Sequence, residues 1–175
     1  MLLHFYLSKM ITKNISIASD LIRNGKLVSF PTETVYGLGA NIYNIDAIKS
    51  IFRVKGRPST NPLIVHTYSL EKALHLFDFS ERNNIKDTIM KIGFEFWPGP
   101  LTIVYKANPN ISEIVTASSG YVGVRIPNNE LALQLLRTAD VPIAAPSANK
   151  SGHISPTDVT HVYNEFKDDE VTILD

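Results

Sequence analysis

The stretch KGRPSTNPLIVH, Lys55–His66, sets two cations, a glycine, two prolines and an asparagine directly ahead of a short apolar run. Upstream of it, Ile45, Ile48, Ile51 and Phe52 fall at helical spacing behind Asn44, a residue suited to an N-cap. Gly56 and Pro58 stop that helix, since glycine favours a left-handed cap and proline cannot continue the hydrogen-bond ladder. PLIVH (62–66) then reads as a strand, and it ends on a histidine. Helix, stiff loop and buried strand follow one another without a break. That succession, repeated outward in both directions, makes the chain α/β.

Toward the N-terminus, Ile15, Ala18, Leu21 and Ile22 form a helical face, and Gly25 sits where a C-terminal cap belongs. LVSF (27–30) is a buried strand that ends at Pro31. Toward the C-terminus, SLEKALHLF (69–77) reads as a short helix, and Ile85, Ile89, Ile92 and Phe96 mark a longer one stopped by Pro98 and Gly99. LTIVY (101–105), YVGVRI (121–126) and VPIAA (141–145) are further strands, with a helix through Ala132, Leu135, Leu136 and Ala139 between the last two. Ser155-Pro156-Thr157-Asp158 has the pattern of an N-cap serine, a first-turn proline and a capping-box acid. It opens a helix carrying Val159, Val162, Tyr163 and Phe166, and VTILD (171–175) is strand-like. Helices should therefore cover a largely buried sheet, and ligand sites in such sheets lie at strand ends.

Composition narrows the chemistry. The chain has 175 residues, 44% of them hydrophobic, enough for one domain with a core of its own. Lys+Arg and Asp+Glu both number 17, so no global field draws nucleic acid, and anion binding must come from a local cluster. The absence of cysteine excludes disulfides and thiolate metal sites. No apolar run approaches the ~20 residues of a membrane span. MLLHFYLSKMITKN (1–14) places Lys9 and Lys13 after its apolar start, the wrong order for a secretory signal. A cytoplasmic protein is expected, with a mitochondrial presequence as the alternative, because the first acid is Asp20.

Four polar loops flank apolar strands. FPTETVYGLGA (30–40) offers the Thr32 and Thr34 hydroxyls, the Glu33 carboxylate, and glycines at 37 and 39 that permit close backbone approach or positive φ. A Gly-rich turn into a second strand is the plainer reading, and GLG lacks the third glycine of a dinucleotide fingerprint. In KGRPSTNP, Lys55 and Arg57 either complement a helix C-terminus or hold an anion on a pre-stiffened loop. Arg125 ends YVGVRI as an edge cation or as a group at a cleft mouth. APSANKSG (145–152) is an ordinary turn or a polar wall after a core strand. Together the loops bring Lys55, Arg57, Arg125 and Lys150 against the single acid Glu33, which implies a locally positive cavity for phosphate or carboxylate. There is no Walker-type loop, and no spacing of His or acids that builds a metal cage.

The motifs FPTETVYGLGA, KGRPSTNPLIVH, FWPGPLTIV, VGVRIP and PSANKSG, in this order, closely resemble the YrdC/Sua5 family, over residues from about 14 to 175. That resemblance implies a twisted α/β fold with a mixed sheet, flanking helices and a positively charged concave cavity. It also implies threonylcarbamoyl-AMP synthase activity: L-threonine, bicarbonate and ATP give threonylcarbamoyl-adenylate and pyrophosphate. A transferase complex then passes the threonylcarbamoyl group to adenosine 37 of tRNA. Carried over by motif, Thr32, His66 and Arg125 contact threonine. Lys55 and Arg57 meet the triphosphate and are the expected catalytic pair. Asn61, Thr116, Ser147, Asn149 and Ser151 complete the ATP site. Mg2+ accompanies ATP on phosphate oxygens and water, with no protein side chain as ligand. The expected state is a monomer or weak dimer.

On this resemblance, residues 1–13 form an N-terminal extension and 14–175 a short, single-domain form. Its departure is at the C-terminus, where the family usually continues into a Gly-rich segment with a late arginine at the nucleotide site. Two other readings stand beside the enzyme. One is a non-catalytic module binding double-stranded RNA or tRNA in the same cavity, although base-stacking aromatics are not evident near the basic loops. The other is a carbamoyl-adenylate-forming domain like that of hydrogenase-maturation proteins, which usually accompanies zinc-binding cysteines.

Overall fold

In a computed structural model, which describes residues 10–81 and 83–175, eight strands form one mixed sheet. The chain order is β1 (Ile11–Thr12), α1 (Ile15–Arg23), β2 (Leu27–Phe30), β3 (Gly37–Asn41), α2 (Ile45–Lys55), β4 (Ile64–His66), α3 (Leu70–Leu74) and α4 (Asn83–Phe96). It continues through β5 (Ile103–Lys106), α5 (Glu113–Thr116), β6 (Tyr121–Arg125), α6 (Glu130–Ala139), β7 (Ile143–Ala144), α7 (Val159–Phe166) and β8 (Val171–Leu174). Residues 1–9, which include most of the expected N-terminal extension and its apolar start, lie outside the described residues. No helix among the described residues is long and apolar enough to cross a membrane.

The strand order is β1-β8-β2-β3-β7-β4-β6-β5. β8 runs parallel to both β1 and β2, and β4 runs parallel to β6; the other pairings are antiparallel. Strand alternation divides the core in two. Leu27 and Leu38 join Ile48, Ile51 and Phe166 on one side, whereas Val28 and Phe30 join Ala18, Ile22, Leu135 and Leu136 on the other. The second side is where α1 packs on α6. Beyond it, β4, β6 and β5 bury Val65, Val122 and Val124 but leave Ile64, Tyr121 and Val104 exposed on the opposite face. The sheet is thus covered twice over one half and once over the other. Residues 64, 66, 123 and 125 stand on the open face, in the register Ile64↔Gly123 and His66↔Arg125.

Local chemistry explains most boundaries. The Asn14, Asn44 and Asn129 side chains each accept a backbone N–H from the first turn of their helices, and Gly56 closes α2 at φ 61°. Gly39 lies where β2, β3 and β7 meet. A Cβ there would sit 2.8 Å from both Ile143 and Phe30 side-chain atoms, so the strands approach only because it is absent.

Several boundaries depart from the sequence reading. Helix 69–77 is confined to Leu70–Leu74, and Phe77 bridges to Ala107 instead. The strand placed at 141–145 keeps two residues, because Ala145 turns to donate to Ile64 and the chain enters the polar loop. Asp158, not Ser155, caps α7: it accepts from Thr160, which leaves Pro156 free to bond the Tyr36 N–H through its carbonyl. Helix α5 had no periodic signal, being a single turn.

Candidate active site

Pro31 ends β2, and the turn after it is organised by one hydroxyl. Thr32 donates to the Val35 carbonyl at 2.7 Å and accepts the N–H groups of Thr34 and Val35, a turn that competes locally with further strand. Tyr36 and Leu38 then bond across to Pro156 and Pro146, and Ala148 bonds back to Tyr36. The loop 31–36 is therefore fixed against the loop that leaves β7. Between them and the open face of β4 and β6 lies a cleft of about 140 Å³, lined by Thr32, Thr34, His66, Arg125 and Ser147 among others.

Arg125 reaches this cleft from the end of β6. One terminal nitrogen donates to the Thr34 hydroxyl at 3.1 Å and lies 2.9 Å from a Glu33 carboxylate oxygen. Both side chains are largely shielded, at 12% and 18% exposure. The contact is close but not aligned as a hydrogen bond, and both Glu33 oxygens and the Arg125 Nε are buried without a hydrogen-bond partner. His66 sits beside Arg125, edge-on to Phe30 at 6.1 Å, with its Nδ1 also unpartnered. Burial, reinforced by the Arg125 charge and opposed by Glu33, pushes the imidazole down to about 4. It is neutral at physiological pH.

A second polar cluster adjoins the first through Ser147. Lys55, only 3% exposed, donates its ammonium to the carbonyls of Ser147 (2.6 Å) and Asn149, while its own carbonyl accepts the Ser151 N–H. Burial, with the Arg57 and Lys150 charges and against Glu165, pushes this lysine down to about 8. Asn149 donates to Lys150 and His153, and its Oδ1 is buried without a partner. Arg57 folds over its own loop, donating to the carbonyls of Asn61 and Pro62, and burial lowers its pKa.

The expected residues thus fall into groups. Thr32, His66, Arg125 and Ser147 line one cleft. Lys55, Asn149 and Ser151 form the adjoining knot, and Arg57 with Asn61 makes a separate turn. Thr116 is buried at the end of α5, where its hydroxyl donates to the Glu113 carbonyl. Lys150 turns away altogether: it pairs with Asp169 at 2.5 Å and lies over the Phe166 ring. Among the described residues, Arg125 is the charged side chain lining the cleft. Sequence reasoning noted Glu33 and Thr34 only as loop groups. Their engagement with Arg125 spans more than ninety residues, and the one available signal was that Glu33 is the lone acid among the four loops.

A Sua5/YciO/YrdC family model, described as telomere recombination, matches residues 20–175. The chain belongs to this family. Within it, the chain is 47% identical over 152 residues to the threonylcarbamoyl-AMP synthase of Pyrococcus abyssi, covering 87% of this chain and 43% of that one. It is 46% identical over 153 residues to the Bacillus subtilis threonylcarbamoyl-AMP synthase, with the same coverage of each. The crystal structure of P. abyssi Sua5 complexed with L-threonine superposes with a TM-score of 0.85 at 45% identity, over 92% of this chain and 46% of that one. The chain spans less than half the length of these family members.

Proposed function

We propose that this chain carries the threonylcarbamoyl-AMP synthase reaction, joining L-threonine, bicarbonate and ATP into threonylcarbamoyl-adenylate with release of pyrophosphate. The observation that carries the reading is the cleft itself. It sets a shielded guanidinium, a neutral imidazole and a hydroxyl pair at the ends of β4, β6 and β2, in a fold shared with a threonine-bound relative of 45% identity.

In this reading Arg125 takes the threonine carboxylate, while Thr32 and His66 face the remainder of the amino acid. His66 is neutral, so it lines the cleft without adding charge. The threonine amine captures CO2 as a carbamate, and a carbamate oxygen attacks the α-phosphorus as pyrophosphate leaves. Such chemistry needs positioning and charge stabilisation more than a nucleophilic side chain. An ammonium has three N–H donors, and Lys55 uses two on backbone carbonyls, which leaves one for a phosphate oxygen. Arg57 supplies the second cation. Asn61, Thr116, Ser147, Asn149 and Ser151 hold the remaining nucleotide groups.

Mg2+ enters with ATP. Triphosphate oxygens and water carry it in this scheme. The product serves tRNA through a downstream transferase complex, and we place the protein in the cytoplasm. The test is pyrophosphate release from ATP with threonine and bicarbonate each omitted in turn. Release that requires both supports the assignment, and release indifferent to threonine overturns it.

A further inference from the structure

Two anion-binding tasks meet within a few residues of one another, because Ser147 belongs both to the cleft of Arg125 and to the knot around Lys55. A bare guanidinium in a shielded cleft attracts a phosphate oxyanion at least as strongly as a carboxylate, since Coulomb attraction scales with the ligand's charge. A nucleotide-binding protein therefore has to keep phosphate out of its carboxylate site.

The cleft holds a device suited to that task. Glu33 lies 2.9 Å from Arg125, the two side chains are 18% and 12% exposed, and both carboxylate oxygens are buried with no hydrogen bond of their own. Glu33 is thus held beside Arg125 as a compensating charge rather than as part of a hydrogen-bond network. His66, the next group on the open face, is neutral, and Arg125, with Glu33 against it, is the charged side chain lining the cleft among the described residues. The charge there sums to nearly zero. Arg125 has further N–H groups for a planar carboxylate, which Thr34 leaves unused.

We propose that Glu33 is a specificity-determining residue: by compensating Arg125, it restricts the cleft to zwitterionic amino acids and turns away phosphate and other multiply charged anions. This rests on the reading of the cleft as an amino-acid site. A zwitterion loses little to the nearby carboxylate, because its ammonium gains what its carboxylate loses. A phosphate dianion has no such compensation.

The experiment titrates L-threonine into the full chain by calorimetry, without ATP, in the absence and presence of inorganic phosphate. Wild type should bind threonine with little competition. In Glu33→Gln, which keeps the side chain's shape and removes its charge, phosphate should compete at least about tenfold more strongly, while threonine affinity moves by less. Glu33→Asp, which restores the charge, should reject phosphate as wild type does and exposes any effect of packing alone. Equal phosphate competition in wild type and Glu33→Gln overturns the proposal, as does Glu33→Asp behaving like Glu33→Gln. Failure of wild type to bind threonine overturns the amino-acid reading, and this inference with it.

Discussion

Two polar clusters share Ser147 and are built in opposite ways. In the knot, Lys55 gives two of its three donors to backbone carbonyls, and the loop 145–152 is held by those bonds. At the cleft, His66 is buried and Glu33 and Arg125 are largely shielded, yet each keeps buried polar atoms with no hydrogen-bond partner. Buried polar groups are ordinarily satisfied, because leaving one unpaired costs about 1–3 kcal/mol. The knot leaves one such atom, Asn149 Oδ1, whereas Glu33, Arg125 and His66 leave four between them, so the cleft keeps more of its polar groups uncommitted.

The sharpest way to break this contrast is Lys55→Met. Removing the ammonium leaves two shielded carbonyls without a donor, so the unfolding free energy should fall by about 3 kcal/mol in urea titrations, and pyrophosphate release should vanish with the displaced loop. A loss under about 1 kcal/mol would put Lys55 in the same class as the cleft. Arg125→Ala comes next. It should raise the threonine KM by about thirtyfold or more, and leave the ATP KM within a few fold, since truncating one partner of a shielded charge contact costs about 2–5 kcal/mol in binding. An equal rise in both constants would merge the two clusters into one site.

A smaller effect is expected from His66. Between pH 6.5 and about 4 the unfolded chain binds a proton that the folded chain refuses, so stability should fall as pH falls through that window and level off below it. Above 6.5 this residue contributes no pH dependence. Thermal melts of wild type and His66→Gln across pH 4–7 measure it, and identical slopes would place the imidazole in contact with water. The smallest difference separates two positions near the knot. Asp158→Ala should cost about 1 kcal/mol as a lost cap, and Ser155→Ala less than about 0.5, in paired denaturation curves.

Asparagine caps, the Gly56 stop and the alternating β6 residues are local signals, and the sequence carries them directly: Asn44, Gly56, Val122 and Val124 behave as their chemistry dictates. The loops after β2, α2, β6 and β7 were equally legible as polar punctuation. What the chain order hides is direction. Lys150 and Arg125 look alike as cations at strand ends, but alternation on β6 sends Arg125 onto the open face, while Lys150 meets Asp169 from the far side of the sheet. The Glu33 contact was hidden for a related reason, as it depends on β4 and β6 lying beside the β2–β3 turn. That adjacency follows from the crossover order of the sheet, which local patterns do not encode.

The place of β8 has a kinetic consequence. Residues 171–174 fill the gap between β1 and β2, joining strands whose own residues lie some 140 to 160 positions earlier. Until they arrive, the outer edge of β2 presents a row of open hydrogen-bond groups, on a strand buried along its whole length in the finished fold. Pairing across so long a separation is slow to form, and partly synthesised chains expose a sticky edge for that interval. Assembly of the first half of this sheet must wait for the last of its strands.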